Sequence, residues 1–137
     1  MNSLEIARLA AEAASDKKAQ RMVLQDLSGL SDLCQYQLVC SGDNDRQTRA
    51  IADSIEERCK KLGVRPVAVE GKQTGNWILI DFGSVLIHVF LEGLRDFYAL
   101  ESLFPKAKFV QLPTLVPATA RTVAATEPPA DDREDLV

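Results

Sequence analysis

The chain is short of the residues from which most catalytic centres are built. It has one histidine, His88, one tryptophan, Trp77, and three cysteines without C-x-x-C spacing. A lone imidazole and no cysteine cluster argue against a structural zinc site. Cys34, Cys40 and Cys59 read as small buried apolar residues in a reducing compartment, not as a disulfide framework. No glycine loop of the Walker or dinucleotide-binding type is present. No apolar run approaches the roughly 20 residues that a bilayer span requires. The start, M-N-S-L-E-I-A-R-L-A, has neither the basic opening nor the apolar core of a signal peptide. The expectation is a cytoplasmic protein with no cofactor, no metal and no membrane contact.

A basic block is missing as well. Through residue 104 there are 12 lysines and arginines against 15 acids; beyond it there are 4 against 5, and the net charge is −4. Proteins that coat a phosphate backbone normally carry a basic stripe. Direct sequence-specific nucleic-acid binding is therefore not expected. An acidic domain suits a basic protein partner, through complementary fields.

What the chain does have is one apolar hairpin, residues 77–90, W-I-L-I-D-F-G-S-V-L-I-H-V-F. Gly83-Ser84 suits a two-residue type II′ turn, because glycine tolerates positive φ at the first loop position. That turn pairs Phe82 with Val85, Asp81 with Leu86, Leu79 with His88 and Trp77 with Phe90. Alternation then puts Ile78, Ile80, Phe82, Val85, Ile87 and Val89 on one side, which must lie under a helix. Trp77, Leu79, Asp81, Leu86, His88 and Phe90 share the other, where one acid, one imidazole and one indole stand among apolar residues.

The remaining pattern alternates helices and strands. Asn2 and Glu5 make a capping-box start to a helix over 3–14. Residues 21–27 and 34–41 read as strands around the turn S-G-L-S-D. Asn44 caps the clearest helix, whose stripe is Thr48, Ile51, Ala52, Ile55, Cys59 and Leu62, ended by Gly63. Glu56 to Lys60 and Glu57 to Lys61 are spaced to pair on its opposite face. Residues 66–70 form another strand, and strand, helix and strand over 34–70 suggest a crossover with parallel neighbours. A third helix over 94–104 ends at Pro105, with Phe97, Leu100 and Phe104 near one face and Arg95, Tyr98 and Glu101 around the rest. The domain is assigned to 1–105. Residues 106–137, rich in Pro, Ala and Thr with an acidic end, are expected to be mostly disordered, although 108–112 could pack briefly on the domain.

Candidate chemistry is sparse. Asp81, Ser84 and His88 invite a hydrolytic triad, but the pairing sets Asp81 and His88 diagonally and puts Ser84 in the turn. Asp43 and Asp45, with Asp81, hint at metal-assisted nucleotidyl transfer; the two acids bracket a helix cap, which explains them without a metal. Trp77 is either a core aromatic or a surface anchor. With Arg95 and Tyr98 it forms an interface cluster if the third helix folds beside the hairpin.

The strings V-E-G-x-x-x-G-x-W-I-L-I-D-F-G, V-x-I-H-V-F and R-D-F-Y-A-L-E-S-L-F resemble the ribosomal silencing factor family, also called Iojap-like proteins. D-L-S-G-L-S-D and S-G-x-N-D-R-Q-T-R-A-I-A-D upstream fit the same family, and the resemblance runs from Leu4 to Phe104. It implies an α/β fold: a mixed five-stranded sheet flanked by helices, nucleotidyltransferase-like without the catalytic acids. It implies a homodimer that binds ribosomal protein number fourteen on the intersubunit face of the large subunit. Occupying that face blocks small-subunit joining and represses translation under nutrient limitation. It marks Trp77 as a contact, and the positions of Glu70, Asp81, His88, Arg95, Tyr98 and Glu101 as carrying the signature, open between partner, dimer and core; the first five are nominated with Trp77 for partner binding. The alternatives are a nucleotidyltransferase-like enzyme and a dimeric adaptor for another protein. Two positions depart from the family: Ser84 stands where Asp is usual, and Phe104 where Trp is usual.

Overall fold

The computed structural model describes residues 1–112; the expected tail beyond them lies outside the described residues. Helix α1, Ser3–Asp16, starts in a complete capping box in which Asn2 accepts from the Glu5 amide and Glu5 accepts from the Asn2 amide. Strands β1, Gln20–Asp26, and β2, Tyr36–Gly42, follow, then helix α2, Asp45–Lys61, capped by Asn44 through the Gln47 amide. Strands β3, Ala68–Glu70, β4, Trp77–Asp81, and β5, Val85–Leu91, lead into helix α3, Glu92–Tyr98. A 3-10 turn, Leu100–Ser102, and strand β6, Lys108–Phe109, complete the described chain.

The sheet order is β3-β4-β5-β2-β1-β6. The hairpin register is as expected to the residue: Trp77 faces Phe90, Leu79 faces His88 and Asp81 faces Leu86. Gly83 has φ +86, as a II′ turn requires of its first residue. The apolar hairpin side is buried under α1 and α2. The alanines of α1, five of them fully buried, allow the two helices to pack closely. Ser54 Oγ on α2 donates to the Ala13 carbonyl, and Arg58 pairs with Asp16 and Glu12.

Three expectations need correction. The parallel partner of β2 is β5, not β3; the chain leaves α2, lays β3 on the far edge and returns through β4. Local periodicity specifies a strand but not its neighbour. The sheet has six strands, not five, because Lys108–Phe109 pairs with β1, and Val110 and Leu112 pack on the core. The third helix stops at Tyr98, since Ala99 adopts φ 47, the left-handed region, and returns its amide to the Arg95 carbonyl. Of the α2 stripe, Leu62 is exposed. Glu56 pairs with Lys72, from the loop before β4.

That loop fixes the start of β4. Thr48 Oγ1 donates to the Gly75 carbonyl at 2.7 Å, and Arg49 donates to the carbonyls of Lys72 and Gln73 at 2.7 and 2.6 Å. Gly71 has φ +91, and a Cβ there would sit 2.0 Å from the Trp77 carbonyl oxygen, so only glycine fits. The indole therefore enters the sheet from a loop bound to α2.

Candidate functional site

The sheet side away from α1 and α2 is half covered. Across it run Glu70 on β3, Trp77, Leu79 and Asp81 on β4, Leu86, His88 and Phe90 on β5, Val39 and Ser41 on β2, and Gln25 on β1. Helix α3 follows β5 without a loop and folds back over the β5–β2 end. What it leaves uncovered is aromatic. Trp77 stacks on buried Phe90 with ring centroids 5.1 Å apart and meets Tyr98 at 4.7 Å. Tyr98 meets Phe97 edge-on at 5.2 Å. Phe97 is 80% exposed and Tyr98 42%, a costly display of apolar surface unless something binds it.

Beneath this patch lies a polar frame. Arg95 is 1% exposed; its guanidinium donates to Glu101 Oε2 at 3.1 Å and, more loosely, to the Gln20 carbonyl and Ser41 Oγ at 3.4 Å. Ser41 also donates to Glu92 at the start of α3. Gln37 donates to Gln25, which donates to the Glu101 carbonyl at 2.8 Å, tying the 3-10 turn to the sheet. Arg21 sits at φ 51 where the β1 register slips, and that bulge aims it at Glu92 and Asp96, 2.6 and 2.7 Å away. The break at Ala99 brings Glu101 back onto Arg95.

His88 is 6% exposed, and its Nδ1 accepts the Trp77 indole N–H at 3.1 Å. The ring proton therefore lies on Nε2, which is buried and has no hydrogen-bond partner among the described residues. An orphaned buried donor costs about 1–3 kcal/mol. Burial pushes the imidazole down from 6.5 to about 4, so it is neutral near pH 7. The unfolded chain takes up a proton on His88 near pH 6.5, whereas the folded chain does so only near 4. Stability from this group is complete above pH 6.5 and falls as pH drops towards 4. At about 1.4 kcal/mol per pH unit, the loss is about 3 kcal/mol. Urea titrations at pH 7 and pH 4.5 on the wild type and His88→Leu should show most of this slope in the wild type alone. Asp26 and Asp96, held low by hydrogen bonds from Ser28 and Arg21, contribute only at more acid pH.

The six sequence-nominated residues fall into three groups. Trp77, His88 and Tyr98 come together in the aromatic cluster, with His88 under the indole rather than at the surface. Glu70, exposed, flanks the cluster on the edge strand, and half-buried Asp81 lies at the far end of β4, accepting from the Gly83 amide. Arg95 is in the frame below. Phe97 was missed, because a helix running to 104 would have turned it inward with Leu100 and Phe104. Ser84 bonds Ser3 Oγ at 2.5 Å, tying the hairpin tip to α1, and Phe104 packs with Leu27, Cys34 and Ala107.

The enzyme-like constellations do not assemble. Asp43 accepts from Gln20 and Asp45 pairs with Arg49, both past the end of β2, whereas Asp81 lies level with Leu86 and Gln37 at the opposite end of the sheet. Ser84, Asp81 and His88 each have a different partner. No group of three metal-ligating side chains occurs among the described residues. The cysteines are free and buried; burial lifts Cys40 to about 12 and Cys59 to about 11, so both are unreactive thiols. No helix among the described residues is long and apolar enough to cross a membrane.

Fold and site define a mixed-sheet α/β domain with an aromatic face framed by carboxylates. Residues 1–135 match the family described as "Ribosomal silencing factor during starvation", and the chain belongs to that family. It is 40% identical over 104 residues to the ribosomal silencing factor RsfS of Chromobacterium violaceum, covering 76% of this chain and 85% of that one. It is 36% identical over 112 residues to the RsfS of Bacillus subtilis, covering 82% and 95%. A crystal structure of a Chromobacterium violaceum protein superposes with a TM-score of 0.75 at 37% identity, covering 88% of this chain and 98% of that one.

Proposed function

We propose that the protein binds the large ribosomal subunit through ribosomal protein number fourteen on the intersubunit face and blocks small-subunit joining. It acts in the cytoplasm as a homodimer, by occupying the surface and without catalysis, and so represses translation when nutrients are limiting. The observation that carries this reading is the cluster of partly exposed Trp77 with exposed Tyr98 and Phe97, at the margin of a sheet side that α3 covers only in part. Aromatic side chains dominate interface energetics. Glu70, which flanks the cluster, and Asp81, farther along the same sheet side, suit a basic ribosomal protein. The scattered acids offer no rival centre.

Sedimentation tests the reading. The protein should co-migrate with purified bacterial large subunits, not small ones, and a saturating excess should lower the yield of joined ribosomes. Normal joining in that excess would reject it.

A further inference from the structure

We infer that His88 is a positioning residue: its Nδ1 holds the Trp77 indole in the orientation that docks, at the expense of fold stability. This rests on Trp77 being the docking anchor. Trp77 is only partly buried, so its N–H could be satisfied by water, and the fold itself does not need an acceptor inside the sheet. Yet the acceptor is there, 3.1 Å away, on a ring whose other nitrogen is buried with no partner among the described residues. Its surroundings are apolar: Leu79 and Val39 are its neighbours across the ladder, and Trp77 and Phe90 are its ring contacts. A leucine would suit that site better than an imidazole does. A residue that breaks the rule of buried polar satisfaction marks a place selected for something other than stability. Here the gain is a preset indole. The hydrogen bond adds a directional restraint to the indole's stacking on Phe90 and its tilted contact with Tyr98, and a side chain already ordered loses less freedom on binding.

The test compares His88→Leu, which removes the acceptor, with His88→Asn, whose Oδ1 takes the place of Nδ1. Since Trp77 is the only tryptophan, one indole N–H resonance reports on it directly. In the wild type that proton should exchange slowly with solvent; in His88→Leu it should exchange at the free rate. Affinity for purified bacterial large subunits should fall roughly two- to tenfold in His88→Leu and recover at least in part in His88→Asn. The melting temperature of His88→Leu at pH 7 should be unchanged or higher. Free indole exchange in the wild type would overturn the inference. So would undiminished binding by His88→Leu, or a loss of binding matched by a lower melting temperature. A wild type that protects its indole but ignores large subunits would overturn the docking reading instead, and with it the purpose assigned to His88.

Discussion

Trp77→Ala should weaken binding to large subunits by roughly 30-fold or more, the effect of losing a central aromatic anchor worth about 2 kcal/mol or above. The fold should survive. Trp77 is partly exposed and rests on the open side of the sheet, while its neighbour Ile78 faces the helices and is fully buried. Removing the indole uncovers Phe90 and frees His88 Nδ1 but opens no cavity in the core between sheet and helices. Binding measured by sedimentation and stability measured by thermal melting should therefore separate. A variant that loses both together would place the indole in the core and remove it as anchor.

Arg95→Met should lower folding stability by about 3 kcal/mol or more, read by urea unfolding. Methionine keeps much of the buried stem but strips Glu101, Ser41 and the Gln20 carbonyl of their shared donor. Glu101 already has one oxygen buried with no partner among the described residues, so losing the cation leaves its charge worse placed. Removing both members, Arg95→Met with Glu101→Leu, should cost less than removing Arg95 alone, because no uncompensated charge then remains. The Arg21 pairs at the start of the same helix form the contrast. Arg21 is 41% exposed and Asp96 76%, and such pairs contribute only about 0–1 kcal/mol. A small effect at Arg95, comparable to Arg21, would show that α3 is held by packing alone.

The sequence was most legible where one residue's chemistry dictated its place. A glycine in a two-residue loop between alternating apolar runs set the hairpin register, and Asn2 with Glu5 set the start of α1. It was least legible where the determinant lay far along the chain. Nothing local tells β2 to choose β5 over β3, since both follow it with α2 between. Ala99 favours helix by propensity, so its left-handed conformation could not be anticipated; the tertiary pull of Glu101 onto Arg95 overrides it. Arginine is normally exposed, and its partner lies six residues on, a spacing no helix rule links, so Arg95 read as surface. The indole and tyrosine were legible as a pair, but the floor under them, Phe90, looked like any strand residue. His88 was visible as unusual without its partner being visible.

The short strand β6 decides where this chain can be trimmed. Its two residues sit along the outer side of β1, and Val110 donates to the Leu24 carbonyl just beyond them. A chain cut after Phe104 would strip that cover from Leu24, Gln25 and Asp26 and bare the outer amides and carbonyls at the end of β1, an open template for self-association. Among the described residues the border there is instead a two-residue strand carrying Lys108, a short edge with a charge on it. A minimal soluble form should therefore keep everything through Leu112.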